Sequence, residues 1–448
     1  MPNDAPASIE RSVPDGTPLP PIVELRRVCM AFARPSGEPL PVLSDIDIAV
    51  RDGEILGLLG RSGSGKSTLL RIAGGLIKPT TGEVAYRGRP LTGPAEGIAV
   101  VFQTFALYPW LTVLENVELG LDALALPFDE ARRRALSAID LIGLDGFQSA
   151  YPRELSGGMR QRVGFARAMV SDPVLLLMDE PFSALDVLTA ETLRTDFLDL
   201  WTGHQLPTKA VLMVTHNIEE AVLMCDRILV LGSNPGHIAA EVPVALPQPR
   251  NRFDPAFRAI VDEIYAILTA RMAEAIGAQS RLHGGLMQPL PEVSINRISG
   301  FIEALTAPPY EGHAELAEIA GPLALAVDQL FPIAAALHIL EFAELKGGAI
   351  KLTAAGRVFA RGETEERKRL FREHLLRFVP LAAHIRQVLD ERAGHRAPRA
   401  RFEYELEDHL HRAEAEKTLR AVIGWGRYAE LFAYDDRARA FYLGQSAE

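Results

Sequence analysis

The stretch Gly60-Arg61-Ser62-Gly63-Ser64-Gly65-Lys66-Ser67 decides how this sequence folds. It fits the pattern G-x-x-x-x-G-K-[ST], follows a short apolar run at residues 54–59, and precedes a helical pattern that opens with Thr68. Glycines let successive backbone N–H groups wrap around phosphate oxygens, and the N-terminus of the following helix adds positive potential. In such a loop the lysine reaches the terminal phosphates, and the next hydroxyl ligates Mg²⁺. We therefore predict that Lys66 and Ser67 bind a nucleoside triphosphate with its magnesium ion.

A second stretch, Val174-Leu175-Leu176-Leu177-Met178-Asp179-Glu180, is an apolar run that ends in two carboxylates. Open α/β sheets bind their ligands at the carboxyl ends of strands, where such an acid pair would lie. We expect Asp179 to hold the metal ion through a water molecule and Glu180 to polarise the attacking water. Taken alone, an acid pair at a strand end could equally be a solvated surface feature. The glycine-rich loop earlier in the chain favours the catalytic interpretation.

Apolar runs of strand length recur in the first 250 residues and alternate with helical stretches. They lie at residues 54–59, 174–178, 211–214 and 228–231, and residues 42–50 alternate apolar and polar side chains. Runs that are apolar throughout indicate strands buried on both faces of a sheet. The predicted fold class is therefore α/β, with a largely parallel sheet covered by helices.

The segment Leu155-Ser156-Gly157-Gly158-Met159, shortly before the acidic strand, is similar to a family signature. Here the chain resembles the ATP-binding-cassette (ABC) family, whose signature reads LSGGQ, with Met159 in the place of the glutamine. The resemblance runs in order over residues 22–250. It implies a P-loop NTPase cassette, in which a RecA-like core carries a helical subdomain around residues 104–167.

The resemblance also implies a role for each matching residue. Gln103 matches the Q-loop, His216 the switch histidine, and Phe32 the aromatic residue that stacks on adenine. The implied catalytic residues are Lys66, Gln103, Glu180 and His216, and the implied Mg²⁺ ligands are Ser67, Gln103 and Asp179. The implied ATP-binding residues are Phe32, Gly60, Arg61, Ser62, Gly63, Ser64, Gly65, Lys66, Ser67, Thr68, Ser156, Gly157, Gly158 and, in the D-loop, Asp186.

The family resemblance implies that two copies of the chain work together. Two cassettes pack head to tail, so that each ATP is held by Lys66 of one copy and by the Ser156-Gly157-Gly158 turn of the other. The signature glycines allow close approach to the γ-phosphate, and the helix that follows points its N-terminus at that charge. Hydrolysis removes the γ-phosphate that ties the halves together, and the dimer then reopens.

Two kinds of ABC protein remain to be compared, the motor of a membrane importer and a soluble ATPase that acts on nucleic acid or ribosomes. Residues 107–117 read Leu-Tyr-Pro-Trp-Leu-Thr-Val-Leu-Glu-Asn-Val and resemble the importer subgroup for nitrate, sulfonate, taurine and related anions. That resemblance implies a transmembrane permease as partner, an indirect substrate-binding protein, and a peripheral location on the cytoplasmic face of the membrane. Soluble ABC proteins tend to carry a second cassette or a zinc-binding insertion. The sequence shows neither a second glycine-rich loop nor a cluster of cysteines.

Composition changes divide the chain into further parts. We predict a disordered tail at 1–21, the cassette at 22–250, a linker helix at 251–285 and an accessory regulatory domain at 286–448. In the last part we expect helices at 316–325, 329–345 and 353–359, a turn at Lys346-Gly347-Gly348 and a strand at 349–352, an order that resembles a winged helix. Residues 421–435 are similar to a C-terminal AAA-associated domain that is appended to some cassettes of the importer subgroup. We identify no internal repeat.

The charge balance bears on the soluble alternative, in which a C-terminal winged helix would bind nucleic acid. The formal net charge is -11, and Asp and Glu also outnumber Lys and Arg in the region from about Glu292 to the end, whereas non-specific nucleic-acid binding needs a basic face. We therefore expect a regulatory or dimer-stabilising role for the C-terminal domain rather than DNA binding. His409 and His411 with His374 or His384 form the one candidate metal cluster outside the nucleotide site, although scattered surface histidines are common.

Overall fold

The computed structural model describes residues 20–33, 39–60, 63–232, 235–282, 288–323, 325, 327–407, 410 and 412–443. By its internal contacts, the chain divides into two compact units. The described parts of Met1–Leu56 and Ser67–Met213 form the first unit, and those of Gly57–Lys66 and Val214–Glu448 form the second.

The described chain up to residue 282 contains ten strands and seven α-helices. The strands are β1 (Val23–Phe32), β2 (Leu40–Val50), β3 (Ile55–Gly60), β4 (Thr81–Tyr86), β5 (Arg89–Pro90), β6 (Ile98–Val101), β7 (Leu175–Asp179), β8 (Ala210–Thr215), β9 (Arg227–Leu231) and β10 (Ile238–Pro243). The helices are α1 (Lys66–Ala73), α2 (Val113–Glu118), α3 (Phe128–Leu141), α4 (Gly157–Met169), α5 (Val187–Thr202), α6 (Ile218–Met224) and α7 (Pro255–Leu282).

Two sheets are built from these strands. One has six strands in the order β10-β9-β3-β8-β7-β6, and the other has four in the order β2-β1-β4-β5. Every residue of β3, β7 and β8 is buried, as the uninterrupted apolar runs predict. β6 and β7 pair in parallel, whereas β10 pairs with β9 in the antiparallel sense. The α/β fold class predicted from the sequence is confirmed.

The predicted helical subdomain is present as α2, α3 and α4. Thr112 caps α2 by accepting a hydrogen bond from the backbone N–H of Glu115, and the Glu115 carboxylate accepts from Thr112 in return. Asn116, which is fully buried, donates to the carbonyls of Tyr108 and Leu111 and accepts from the Tyr108 N–H. Such reciprocal hydrogen bonds satisfy donors that a helix start otherwise leaves unpaired. They fix the loop before α2 onto the helix.

Helix α7 lies within the second unit and contacts elements from both ends of that unit. It contacts α6 and β10, which precede it, and α9, α10 and β12, which follow it in the chain. Phe257, Val261 and Ile264 are buried at helical spacing, as the sequence pattern predicts. The ring of Tyr265 stacks on that of Phe331, with 6.2 Å between centroids. The second unit therefore has a continuous core that α7 helps to form.

The C-terminal region continues this unit with short helices and strands. They are α8 (Ile295–Thr306), β11 (His313–Glu315), α9 (Leu316–Ala320), α10 (Val327–Ile339), β12 (Ala343–Lys346), β13 (Ala349–Leu352), α11 (Ala354–Arg361), α12 (Thr364–Phe378), α13 (Pro380–Glu391), β14 (Arg396–Pro398), α14 (Arg399–Glu407), α15 (Arg412–Tyr428), β15 (Ala433–Asp435) and β16 (Ala440–Tyr442). None of the helices that the structure describes is both long and apolar enough to cross a membrane.

The same succession of elements occurs twice in this region. The series α8-β11-α9-α10-β12-β13 recurs as α13-β14-α14-α15-β15-β16, with α11 and α12 between the two. The sheets have matching orders, β11-β13-β12 and β14-β16-β15, and all their pairs are antiparallel. Helix, strand, helix, helix and a two-stranded wing is the arrangement of a winged helix. We name residues 295–352 winged helix I and residues 380–442 winged helix II.

The structure of the C-terminal region corrects two predictions from the sequence. The prediction that the chain has no internal repeat was wrong, because the order of elements and the strand order of the sheets both recur. The predicted helix over 329–345 was also wrong, since α10 ends at Ile339 and β12 begins at Ala343. Glu341 adopts φ +56° there, and the N–H of Phe342 bonds the carbonyl of Leu337 at 2.8 Å. This left-handed residue closes the helix.

The helix end of winged helix II repeats this closure. Glu430 has φ +50°, and the N–H of Leu431 bonds the carbonyl of Gly426 at 2.9 Å. Identical closures before the wing strand support the view that the two winged helices share one architecture.

The third helix of each winged helix contributes buried side chains to the core. In a helix-turn-helix protein this helix enters the major groove. In α10, every residue from Leu330 to Leu340 is buried except Pro332 and His338, which are half-buried. In α15, Trp425 is fully buried and donates its indole N–H to the carbonyl of Val293 at 2.9 Å. From Leu330 onward α10 is thus covered, whereas α15 also exposes Glu416, Lys417 and Arg420. This exposed face has mixed charge and lacks the basic character that nucleic-acid binding needs, which argues against the soluble alternative.

Candidate functional site

The glycine-rich loop connects β3 to α1, as the sequence predicts. β3 ends at Gly60 and α1 begins at Lys66. Gly63 and Gly65 have φ values of +81° and +93°, a conformation that side chains with a Cβ disfavour. The Lys66 Nζ donates a hydrogen bond to the carbonyl of Gly60 at 2.7 Å, which folds the lysine back over its own loop. Arg61 and Ser62 lie outside the described residues.

The loop has the crowding and the polar lining that a phosphate site needs. A Cβ on Gly60 would lie 2.9 Å from the Oγ of Ser64 and 3.0 Å from the carbonyl oxygen of Leu231, so only glycine fits. The Ser64 side chain is buried, and its Oγ has no hydrogen-bond partner among the described residues. Buried hydroxyls are normally paired. A triphosphate oxygen would supply the missing partner, so the loop fits the predicted nucleotide.

Ser67 and Asp179 lie in hydrogen-bond contact. The Oγ of Ser67, one residue after Lys66, donates to Oδ1 of Asp179 at 2.8 Å. Asp179 is the last residue of β7 and is almost completely buried. A hydroxyl and a carboxylate supply the oxygen ligands that Mg²⁺ prefers. The residues present therefore fit a magnesium ion. Thr68, the next residue of α1, is half-buried.

Glu180 occupies an unusual backbone conformation directly after the strand. Its φ is +47°, a region that is costly for a residue other than glycine and that often marks functional sites. The Oγ of Ser183 donates to the carbonyl of Glu180 at 2.9 Å and holds this turn. The amide of Gln103 donates to Oε2 of Glu180 at 3.1 Å and to the Ser183 Oγ at 3.3 Å. Gln103, a predicted metal ligand, is thus bonded to the second carboxylate of the pair.

The signature residues lie at the start of α4, against the first turn of α5. Ser156 caps α4 by accepting from the N–H of Met159 at 3.2 Å. A Cβ on Gly158 would lie 2.3 Å from Cγ2 of Thr189, whereas one on Gly157 would meet Leu185 Cδ2 at an ordinary 3.6 Å. The family resemblance implies that both glycines allow close approach to the nucleotide. The structure adds an internal packing reason for Gly158.

The D-loop residue Asp186 caps α5. Its carboxylate accepts hydrogen bonds from the hydroxyl and the backbone N–H of Thr189, at 2.7 and 3.1 Å. These hydrogen bonds lower the pKa of Asp186 below its ordinary value, because they favour the charged carboxylate. The carboxylate therefore remains ionised at neutral pH, and both of its oxygens accept hydrogen bonds from Thr189 in the first turn of α5.

Phe32 and His216 both lie at the C-terminal end of a strand. Phe32 is the last residue of β1, and its side chain is 40% exposed, which leaves a ring face for stacking. His216 follows β8 and is half-buried. The next residue, Asn217, caps α6 by accepting from the N–H of Glu220 at 3.1 Å. The position of His216 is therefore tied to the start of α6.

Three features of these loops escaped the sequence analysis. They are the left-handed backbone of Glu180, the link from Gln103 through Ser183, and the crowding of Gly158 by Thr189. The last two join residues that are distant in the chain, and a left-handed backbone at a glutamate has no characteristic residue pattern. The proposed histidine cluster finds no support where the structure describes it, because His374 bonds the carbonyl of Leu340 and His384 bonds Glu405. His409 and His411 lie outside the described residues.

A phosphate-binding loop between strand and helix, with an acidic pair at the end of a buried strand, defines a P-loop nucleotide-binding protein. A family model described as ABC transporter matches residues 43–183, and one described as C-terminal AAA-associated domain matches residues 317–435. The chain belongs to the ABC transporter ATP-binding proteins, as the relatives below establish.

The relatives share about half of this chain. An uncharacterised ABC transporter ATP-binding protein of Methanocaldococcus jannaschii is 42% identical over 241 residues, which are 54% of this chain and 89% of that protein. The nitrate import ATP-binding protein NrtD of Synechocystis is 43% identical over 241 residues, 52% and 90% of the two chains. The taurine import ATP-binding protein TauB of Sinorhizobium fredii is 41% identical over 249 residues, 54% and 90% of the two chains.

Proposed function

We propose that this chain is the ATP-hydrolysing subunit of an importer for nitrate, a sulfonate, taurine or a related small anion. It couples ATP binding and hydrolysis to transport through a separate permease. The observation that carries the proposal is the arrangement after β7. Asp179 is bound by the hydroxyl of Ser67, and Glu180 is held in a left-handed turn with the amide of Gln103 on its carboxylate. The class of transported anion rests on the names of the relatives.

In this proposal the residues of the glycine-rich loop bind the triphosphate. The backbone N–H groups of residues 60–65 and the Lys66 ammonium neutralise the phosphate charge. Lys66 exchanges its bond to the Gly60 carbonyl for the β- and γ-phosphates. Ser67, Asp179 and Gln103 would hold Mg²⁺, which supplies further stabilisation of the phosphate charge.

Glu180 orients and polarises the water that attacks the γ-phosphate. To do so, Oε2 of Glu180 gives up the hydrogen bond from Gln103, whose side chain turns toward the metal ion. In this proposal, the hydrogen bond between Gln103 and Glu180 belongs to the protein before it binds ATP. His216 contacts the γ-phosphate and stabilises the charge of the transition state. Phe32 stacks on the adenine, for which its exposed ring face is suited.

The proposal requires a second copy of the chain. Ser156, Gly157 and Gly158 of one copy cap the ATP bound by Lys66 of the other, and Asp186 contributes from the D-loop. The N-terminus of α4, which Ser156 caps, directs its partial positive charge toward that ATP. Release of phosphate then loosens the contact between the copies.

The permease partner is proposed to dock beside the Q-loop. Trp110 is 67% exposed, and its ring centroid lies 5.2 Å from that of Tyr108. Arg167 of α4 donates to the carbonyl of Phe105 at 3.2 Å and holds the segment that carries these rings. Exposed aromatic residues are typical of protein interfaces. Through this partner the chain would lie on the cytoplasmic face of the membrane, while residues 286–448 serve a regulatory role.

Glu180→Gln tests the catalytic part of the proposal in the purified full-length chain. We expect ATP to bind and to hold a dimer, while phosphate release falls by about 100-fold or more. Glu83→Gln, an exposed glutamate of β4, serves as the control and retains wild-type turnover. Wild-type phosphate release from Glu180→Gln would contradict the assignment.

Trp110→Ala tests the permease partner independently. The variant should lose co-purification with the permease and the stimulation of ATPase activity by it, while its basal ATPase activity is retained. Phe128→Ala, which removes an equally exposed ring from α3, is the matched control. Isolation of the chain in a soluble complex with ribosomes or DNA, and without a permease, would refute the importer assignment.

A further inference from the structure

Arg250, which follows the last strand of the cassette, uses every N–H of its guanidinium group. Nε donates to the carbonyl of Leu246 at 3.0 Å, and Nη1 donates to those of Val222 and Cys225 at 2.8 and 2.6 Å. Nη2 donates to Asp226 Oδ1 at 3.3 Å and to the carbonyl of Val244 at 3.5 Å. The side chain is 1% exposed. A guanidinium has five N–H groups, so its hydrogen-bonding capacity is filled.

Two of these acceptors belong to the C-terminal end of α6. The carbonyls of Val222 and Cys225 lack partners within the helix, as the last carbonyls of any helix do. The side chain of Gln248 adds a third hydrogen bond, to the carbonyl of Leu223 at 3.0 Å. A cation at a helix C-terminus is also favoured by the helix dipole. The segment around residues 248–250 thus caps the end of α6.

Helix α6 depends on such external bonds because it is short. It has seven residues, and isolated helices below about 12 residues are marginal in water. Its N-terminal end is held by Asn217, which accepts from the N–H of Glu220, and by the Thr215 hydroxyl, which accepts from the N–H of Asn217 at 3.0 Å. His216 lies between these two capping residues. Any movement of α6 along its axis therefore moves His216.

The C-terminal end of α6 is also fixed against the strand that leads to the glycine-rich loop. A Cβ on Gly57 of β3 would lie 2.7 Å from Sγ of Cys225, so the two backbones approach closely. Cys225 is the C-terminal capping residue of α6, and its carbonyl accepts from Arg250. The helix is thus held between β3 and the guanidinium group.

We propose that Arg250 is a positioning residue for ATP hydrolysis, which sets the place of His216 by capping α6. The proposal rests on the role of His216 in the proposed function. Arg250 lies at the far end of the helix and acts on the γ-phosphate only through His216. Loss of the guanidinium leaves buried carbonyls without donors, and α6 shifts to reach other partners. Misplacement of a catalytic group by about 1 Å is enough to slow a reaction by about 100-fold.

The test compares Arg250→Ala, Arg250→Lys and the control Arg258→Ala in the purified full-length chain. Arg258 is an exposed arginine of α7. We expect Arg250→Ala to lower kcat for ATP by about 10- to 100-fold with KM changed by less than about twofold. A lysine has three N–H donors and satisfies only part of the set, so Arg250→Lys should recover part of the lost kcat. Arg258→Ala should match wild type.

A double-mutant cycle with His216→Ala identifies the route of the effect. If Arg250 acts through His216, Arg250→Ala causes no further loss of kcat in the His216→Ala background. Equal fold-losses in both backgrounds would overturn the positioning role and leave the role of His216 intact. Full activity of His216→Ala alone would instead refute the proposed role of His216.

Should Arg250→Ala fail to fold, two milder variants carry the same test. Gln248→Ala removes the single hydrogen bond to the Leu223 carbonyl, and Arg250→Lys retains the positive charge. Both should lower kcat without changing KM, and neither should lower it further when His216 is absent. Wild-type kcat in both variants would overturn the proposal.

Discussion

Gly158→Ala and Gly157→Ala place the same methyl group on neighbouring residues of α4 but in different surroundings. The Cβ that Gly158→Ala adds would lie 2.3 Å from Thr189 Cγ2, whereas carbon atoms in contact are normally about 3.5–4.0 Å apart. One of the two must therefore move by more than about 1 Å. The Cβ that Gly157→Ala adds would meet its nearest neighbour at 3.6 Å and needs no movement.

The expected cost follows from two opposing effects. Overpacking of this severity lowers the free energy of unfolding by about 3 kcal/mol. Replacing glycine by alanine in a helix raises it by about 1 kcal/mol. Gly158→Ala should therefore be destabilised by about 2 kcal/mol, which lowers the melting temperature of its unit by about 4–8 °C. Gly157→Ala should melt within about 2 °C of wild type or slightly higher.

Thr189→Ser isolates the cause of the destabilisation. It removes the clashing Cγ2 and keeps the hydroxyl that donates to Asp186, and the nearest remaining atom, Cβ of residue 189, lies 3.7 Å away. Gly158→Ala/Thr189→Ser should thus melt close to Thr189→Ser alone, as measured by circular dichroism. Equal destabilisation by Gly158→Ala in both backgrounds would refute the packing argument. ATPase loss that persists in the rescued variant would report on the approach of Gly158 to the nucleotide.

The remaining predictions concern the nucleotide loop and the second unit. Lys66→Ala should reduce ATP affinity by about 100-fold or more, since a charge-assisted contact to the phosphates is lost, and equilibrium binding of a fluorescent ATP analogue measures it. Gly348→Ala should lower the melting temperature more than Gly347→Ala, because its Cβ would lie 3.2 Å from Cα of Ala266 in α7, whereas that of Gly347 meets open space; equal melting temperatures would contradict this. Burial raises the pKa of Tyr265 to about 12. The folded state resists ionisation, so stability is present below about pH 10 and is lost as the pH rises toward 12; Tyr265→Phe should move alkaline unfolding, followed by fluorescence, to higher pH.

The tandem winged helices bear on the role proposed for the C-terminal region. Their third helices bury Phe331 and Trp425 in the core, and the wing turn of winged helix I reaches α7 through Gly348. A fold that elsewhere binds nucleic acid is here part of the same compact unit as α6 and the residues after β8. The regulatory role proposed above for residues 286–448 agrees with this arrangement.

Much of the nucleotide site could be predicted from the sequence, because its residues lie in short contiguous motifs. Lys66 and Ser67 follow a buried strand, and Asp179 and Glu180 end another. Phosphate binding requires glycines, a lysine and the start of a helix close together in the chain, and these produce a recognisable local sequence pattern. The strands were equally predictable, since burial on both faces requires uninterrupted apolar runs.

The sequence by itself determined the fold class, the glycine-rich loop and the acidic strand end, since those depend on neighbours in the chain. Only the tertiary structure revealed that Arg250 caps α6, that Thr189 crowds Gly158, and that the C-terminal region is duplicated. Each of these depends on atoms brought together from distant residues. A buried guanidinium can bond any carbonyl oxygen that lies within reach, whatever residue carries it. Whether a methyl group clashes depends only on the distance to its neighbour. A winged helix requires apolar residues at its core positions, but many apolar residues satisfy that requirement. Such requirements leave no fixed pattern of residue types to recognise.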